Sequence, residues 1–417
     1  MVPALTGLFS ALYLTVHQNV PQPDQNFVQQ TLTAAQIILV TLVFPEWTLS
    51  WAVRSYFVAK RVRDQLVVAN NEAMLWWYHF PTYSRPFAFQ HHNRHNFRQD
   101  QKCNLTHAYF VVMGGLHVYN ERGRPVGPVT VPDALENIRA GRLVLPPLDA
   151  IQGLSQSSTL STLFALLGLL SFVIPSLARI HEGIPLAGLE LMVLAHTIIA
   201  TVTFLPWWKK PMNVGSPIRV SEEAYAPRDR FRLQLRRRTT SIFAEHSLAE
   251  VVYCYIIGTH DTLYDIQHAP SVPTFWSGET DSALEVPVNL DQSPTAPRSA
   301  YYLGSICALI ATIVYGVIHC VGWHYDLPSR IELYLWRIGA LLVVSAPTTI
   351  IIAFIACIFP LRYGYTRAPG IIMQIVVVPC AVVYVVGRLL LFAVVCSSLR
   401  KLAPRVFLQG SFTFIPF

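Results

Sequence analysis

No signature of the common soluble chemistries runs through this chain. There is no glycine-rich phosphate loop, no GxGxxG turn, no GxSxG elbow and no HExxH helix. Those absences remove the usual ATP-driven, dinucleotide-dependent and hydrolytic readings. Seven cysteines are scattered (Cys103, Cys254, Cys307, Cys320, Cys357, Cys380 and Cys396), and no two are spaced CxxC. Neither a zinc knuckle nor a disulfide framework is indicated, and cysteine inside an apolar run packs as a small hydrophobe. Charge is scarce too. Only 13% of the 417 residues are charged, against about 25% in soluble domains. With 53% hydrophobic residues and a mean hydropathy of +0.40, the deficit points to a polytopic membrane protein.

What the chain has instead is long apolar runs, at 31–53, 158–178, 184–206, 301–323, 338–359 and 371–396. The run from Ile184 to Pro206 alone is long enough to cross roughly 30 Å of hydrocarbon. The opening segment, Met1 to His17, is a shorter seventh candidate. It lacks a basic n-region and a small-residue cleavage site, so it reads as a helix and not as a cleaved leader. The expected fold is therefore all-α, a transmembrane bundle of about seven helices with six as the fallback. The divisions are 1–53 (two helices), 54–157 (basic loop), 158–206 (two helices), 207–300 (basic, then Pro/Ser-rich loop), 301–399 (three helices) and 400–417 (tail).

Charge maps orientation. Twelve of the 31 Lys and Arg lie in 54–157, ten in 207–300, and none in 18–30. A cytosolic N-terminus puts both basic loops on the cytosolic side, as the positive-inside rule asks, although Arg400, Lys401 and Arg405 then fall opposite. The partners expected are the bilayer itself, anionic lipid at the basic loops and a hydrophobic small molecule. No nucleic-acid module is visible. The setting expected is an endomembrane such as the endoplasmic reticulum.

The loops carry weaker signals. His91-His92-Asn93-Arg94-His95 is the one dense histidine group, but ligation needs several converging boxes, so a solvated cationic loop is the reading and no metal or cofactor is expected. Leu105 to Tyr119 is too short to span and reads as interfacial or re-entrant. The Pro/Ser/Thr-rich stretch 269–299 reads as a flexible tether. Trp207-Trp208-Lys209-Lys210 reads as an aromatic belt with inside lysines.

Ionisable residues inside apolar runs are costly and hence informative. Glu190 in the 184–206 run and Glu46 beside Pro45 are the candidate acids, and Pro45 frees a carbonyl one turn earlier. A carboxyl that keeps its proton away from water is a competent general acid. The alternative for each is architecture: a helix–helix hydrogen bond for Glu46, an ion pair with Arg179 or Arg388 for Glu190. His196 completes the catalytic candidates, but six residues from Glu190 it stands about 120° around the helix, so the two form no dyad. His107, Arg179, His319 and Arg388 are the candidates for holding a polar head group. His319 and Trp323 also fit an interfacial anchor.

These residues fall in a recognisable pattern: His17 to Pro21, Pro45-Glu46, Thr106 to Phe110 with Met113-Gly114-Gly115, Gly183 through His196 to Pro211, Ile318-His319 with Trp323, and Leu335-Trp336-Arg337. The chain resembles a large family of fungal polytopic membrane proteins of largely uncharacterised function, over nearly its whole length. That resemblance implies the fold and no activity. Some integral-membrane proteins of fungal specialised metabolism cyclise prenyl chains after protonating an alkene or epoxide, and the analogy gives the leading expectation. It is a membrane-embedded enzyme that isomerises or cyclises a lipophilic, terpenoid-like intermediate, with Tyr13, Trp47, Trp51, Tyr315 and Tyr384 as aromatic faces. A metabolite exporter and a non-catalytic receptor or scaffold are the alternatives.

Overall fold

The computed structural model describes residues 2–79, 103–156, 159–222, most of 251–278, 299–325, 327–362 and 367–401. The histidine group at 91–95, most of the basic stretch 227–257 and the tail beyond 401 lie outside the described residues.

Helices dominate. Five are long and apolar enough to cross a membrane: Leu160–His181, Gly188–Trp207, Leu303–His324, Arg330–Ala356 and Ile375–Ser398. They mark the chain as an integral membrane protein. A sixth span is formed if Phe27–Val43 and Pro45–Met74 are counted together, two helices bent by 112° across a break. The seventh expected helix is α1 (Val2–Thr15). Its 14 residues reach only about 21 Å, short of the hydrocarbon thickness. The 31–53 run, expected as one rod, is instead the end of α2 (Phe27–Val43) and the start of α3 (Pro45–His79). Pro45 opens α3 at its first position, where the missing N–H is no loss, and Phe44 before it leaves the helical conformation, so the run is broken in two.

At 35 residues, α3 is about 52 Å long and outruns any bilayer. Its first half packs in the bundle; its second half carries an extramembrane layer. That layer holds α4 (Leu105–Val112), β1 (Leu116–Tyr119), β2 (Pro125–Pro128), α5 (Val131–Arg139) and α6 (Leu148–Leu154). The 105–119 segment is therefore a capped, buried helix followed by a strand, and no interfacial helix. With β3 (Ile218–Ser221), the strands form a small sheet of order β2-β1-β3, antiparallel on one side of β1 and parallel on the other. Its core joins Phe110, Leu116 and Val118 to Leu66 of α3 and Leu135 of α5.

The bundle is α7 (Thr159–His181), α8 (Gly188–Trp207), α9 (Ser299–Cys320), α10 (Arg330–Arg362) and α11 (Arg367–Ser398), with α1 against α7 and α8. Within its span α8 is 67% buried, against 22% for α7's, so α8 is the central post. Helices α10 and α11 cross closely at Gly339 and Gly387. A Cβ on either would stand 3.1 Å from the other's carbonyl oxygen, so only small residues allow the approach. That contact fixes Arg388, the next residue, in the bundle.

Candidate functional site

The break between α2 and α3 creates the site. The last carbonyls of a helix have no partner within it. Those of Leu42 and Val43 are met by side chains from distant helices. His196 Nε2 is 2.6 Å from Leu42 O, with its Nδ1 2.8 Å from Met192 O. Arg388 donates through Nε at 2.9 Å, and through Nη2, to Val43 O. Thr41 and Thr48 hydroxyls, 3.0 Å apart, tie the two halves together.

Just past the break, Glu46 is only 5% exposed. Tyr384 donates its hydroxyl to Glu46 Oε1, while Glu46 Oε2 has no hydrogen-bond partner among the described residues. The Arg388 guanidinium lies 3.7 Å from the Tyr315 ring centroid and 5.9 Å from that of Tyr384. In a site without water such a stack is worth about 2 kcal/mol. The Tyr315 hydroxyl approaches His196 Nδ1 at 3.5 Å. One turn on, His319 stacks on Tyr315 at 4.5 Å and donates from Nδ1 to Tyr315 O at 2.7 Å. Tyr384 and Arg388 flank the middle of the Ile375–Ser398 span, and Tyr315 and His196 stand beside the middles of theirs. The cluster is therefore at half-depth in the membrane.

The sequence-derived candidates divide in two. Glu46, His196, His319 and Arg388 converge here. Glu190, Arg179 and His107 do not. Glu190 is in the first turn of α8, where its carboxylate accepts from Ala187 N at 2.9 Å and from Arg179 Nη1 at 3.1 Å. It caps its helix and pairs with the end of α7, so it stands at a helix end and not deep in the bundle as expected. Arg179 also donates to Pro185 O at 3.0 Å. His107 is in the extramembrane layer: its Nδ1 accepts from Asn104 N at 3.3 Å, and Nε2 faces Pro146 O at 3.1 Å. Burial holds its pKa below the usual imidazole range. Among the aromatic candidates, Tyr315 and Tyr384 belong to the cluster. Tyr13 bonds Ser161 on α7 at 2.8 Å. Trp47 and Trp51 face Phe275 at 4.7 and 5.2 Å.

A second polar region, at the membrane boundary, escaped the sequence reading. Lys210 is 6% exposed, no belt lysine. It donates to His17 O at 2.9 Å and sits 4.4 and 4.9 Å over the rings of Trp51 and Trp207. Desolvation lowers its pKa to about 7, and burial takes that of His17 to about 3. Arg54, wholly buried, donates to Gly258 O. The start of the expected tether is a strap tucked over this region. Asn19 Nδ2 and Trp51 Nε1 donate to backbone oxygens of Pro273 and Trp276, His260 Nε2 to Phe275 O at 3.0 Å, and Ser277 N to Asp261 Oδ2 at 3.0 Å. Among the described residues, no three His, Cys, Asp or Glu side chains converge as a metal site.

Fold and site define a class: a polytopic helical membrane protein with an ionisable cluster enclosed at half-depth, the position where such groups mark substrate or ion paths. The chain belongs to a family of unknown function (DUF8562), which matches residues 3–262, more than half of it. The matched stretch carries Glu46, His107, Arg179, Glu190 and His196 and ends before Tyr315, His319, Tyr384 and Arg388. Neither a curated protein nor a solved structure matches the chain.

Proposed function

We propose that the protein is a membrane-embedded enzyme that isomerises a lipophilic, oxygen-bearing small molecule by moving a proton at Glu46. The observation that carries this reading is the half-depth carboxyl, held through one oxygen by Tyr384 with the other oxygen unmet. In the reaction Glu46 takes a proton from a carbon next to a carbonyl and returns it to another carbon of the same molecule. The double bond shifts, the molecule's overall oxidation state is unchanged and the Glu46 carboxylate that began the cycle is restored. Arg388 favours the negative charge that develops on the substrate oxygen. The same guanidinium argues against the carbocation version expected from sequence, because it already covers the Tyr315 face and repels a second positive charge. His196, with a backbone carbonyl beside each ring nitrogen and one N–H to give, positions the break and has no step in this reaction.

A second reading, a proton-coupled carrier, is favoured by the break itself. Interrupted helices at the midplane are what secondary transporters build cargo sites from. One experiment separates the two: metabolite profiles of cells and medium after deleting the gene and restoring wild type, Glu46→Gln or Glu190→Gln. An accumulated compound isobaric with the lost product, persisting with Glu46→Gln and cleared by Glu190→Gln, is the enzyme's result. Unchanged compounds trapped inside the cells overturn the enzyme and favour the carrier.

A further inference from the structure

The proposed function leaves open what the lipophile carries, and His319 bears on that. Its side chain is wholly buried. The proton on Nδ1 is committed to Tyr315 O at 2.7 Å. A neutral imidazole has one N–H, so Nε2 is then a bare acceptor. No group meets it. The ring is also fixed in place: it stacks on Tyr315, lies 5.4 Å from the Trp336 indole, and its backbone oxygen accepts from Trp336 Nε1 at 3.0 Å. Gly322 makes room for that indole, since a Cβ there would stand 3.0 Å from Trp336 Nε1. A rigid, buried, unmet acceptor is costly to leave empty and discriminates strongly between partners with and without a donor.

We infer that His319 Nε2 accepts a hydroxyl of the bound molecule, so the site takes hydroxylated lipophiles in preference to the matching ethers or hydrocarbons. This rests on the half-depth site being a ligand site, and adds the group that is read there. The sequence pattern alone had placed His319 at a helix end beside Trp323, where an interfacial anchor needs no ligand.

The test uses the full chain in lipid nanodiscs and three fourteen-carbon probes: an α-hydroxyketone, its methyl ether and the plain ketone. Binding is read from the rise in unfolding midpoint with probe concentration. The hydroxyketone is expected to bind about tenfold tighter than the ether. His319→Phe, which keeps the stack on Tyr315, brings that ratio to about one, and His319→Gln, which offers an accepting oxygen, restores part of it. Equal binding of all three probes to the wild type, lost in Arg388→Met, overturns the hydroxyl inference and leaves the ligand site standing; Nε2 is then met by water. No binding of any probe overturns the site reading and this inference together. A tenfold wild-type ratio that His319→Phe or, should that variant not fold, His319→Gln leaves unchanged assigns the hydroxyl to Glu46 Oε2 and overturns the inference.

Discussion

The half-depth cluster and the membrane boundary both bury charge, and they complete it differently. At the span ends each charged side chain has a partner within the protein: Lys210 a carbonyl and two indoles, Arg54 the Gly258 carbonyl and, at the opposite end of α8, Glu190 has Arg179 and its own helix cap; His17 Nδ1, His260 Nδ1 and Ser277 Oγ are unmet among the described residues. At half-depth the backbone is answered but, among the described residues, three side-chain atoms are not: Glu46 Oε2, His319 Nε2 and Arg388 Nη1. Burying a polar atom without a partner costs about 1–3 kcal/mol. What sets the half-depth cluster apart is that its open atoms belong to a carboxyl and a guanidinium as well as an imidazole, groups for which a ligand returns the most stability.

Substitutions can break that comparison or sharpen it. The largest effect is expected from Arg54→Ala, which strips the partner from a buried carbonyl and leaves a void beside Gly258. Unfolding of the purified protein should show a loss of about 3–5 kcal/mol. A loss under about 1 kcal/mol would mean that the boundary is not a closed network. Next comes pH. The folded chain holds Lys210 near pKa 7 and the unfolded chain near 10.5. Between those values the unfolded state binds the extra proton, so stability rises with pH by up to about 1.4 kcal/mol per pH unit. Lys210→Met should flatten that rise. His17, near 3 when folded and 6.5 when unfolded, adds a loss of stability as pH falls below about 6.5. Unfolding midpoints from pH 5 to pH 10, a range of roughly five units for each protein, test both. The smallest effect is expected from Glu190→Gln: about 1 kcal/mol from a weakened ion pair and cap, with full restoration of the metabolite profile. A Glu190→Gln protein that folds but fails to restore would move the chemistry to the helix end.

Much of the bundle was legible because a run of apolar residues long enough to span is a local property. Glu46 was legible for the same reason, as an acid where hydrocarbon was expected. The break beside it was half legible: Pro45 announced a freed carbonyl, but how sharply the chain turns there depends on His196 and Arg388, far away in sequence. Lys210 and the strap were not legible. A lysine after two tryptophans reads as a belt, and a stretch rich in proline and serine reads as a tether, because composition reports what a segment can bury by itself. Trp276 and Phe275 are buried against a surface that α3 and His260 had already built. Glu190 was misplaced in depth because its run begins with Ile184-Pro185, apolar residues that precede the helix and do not belong to it.

The bend after Val43 also sets a schedule for biosynthesis. Helices leave the ribosome in order, and α2 and α3 emerge long before the side chains that finish their junction. Leu42 waits 154 residues for His196, and Val43 waits 345 for Arg388. Until the last helix has been made, the junction carries bare carbonyls at a depth where no water can satisfy them. The span Ile375–Ser398 is thus the latch on the α2–α3 junction, and a chain cut short before residue 388 is left with that junction unfinished.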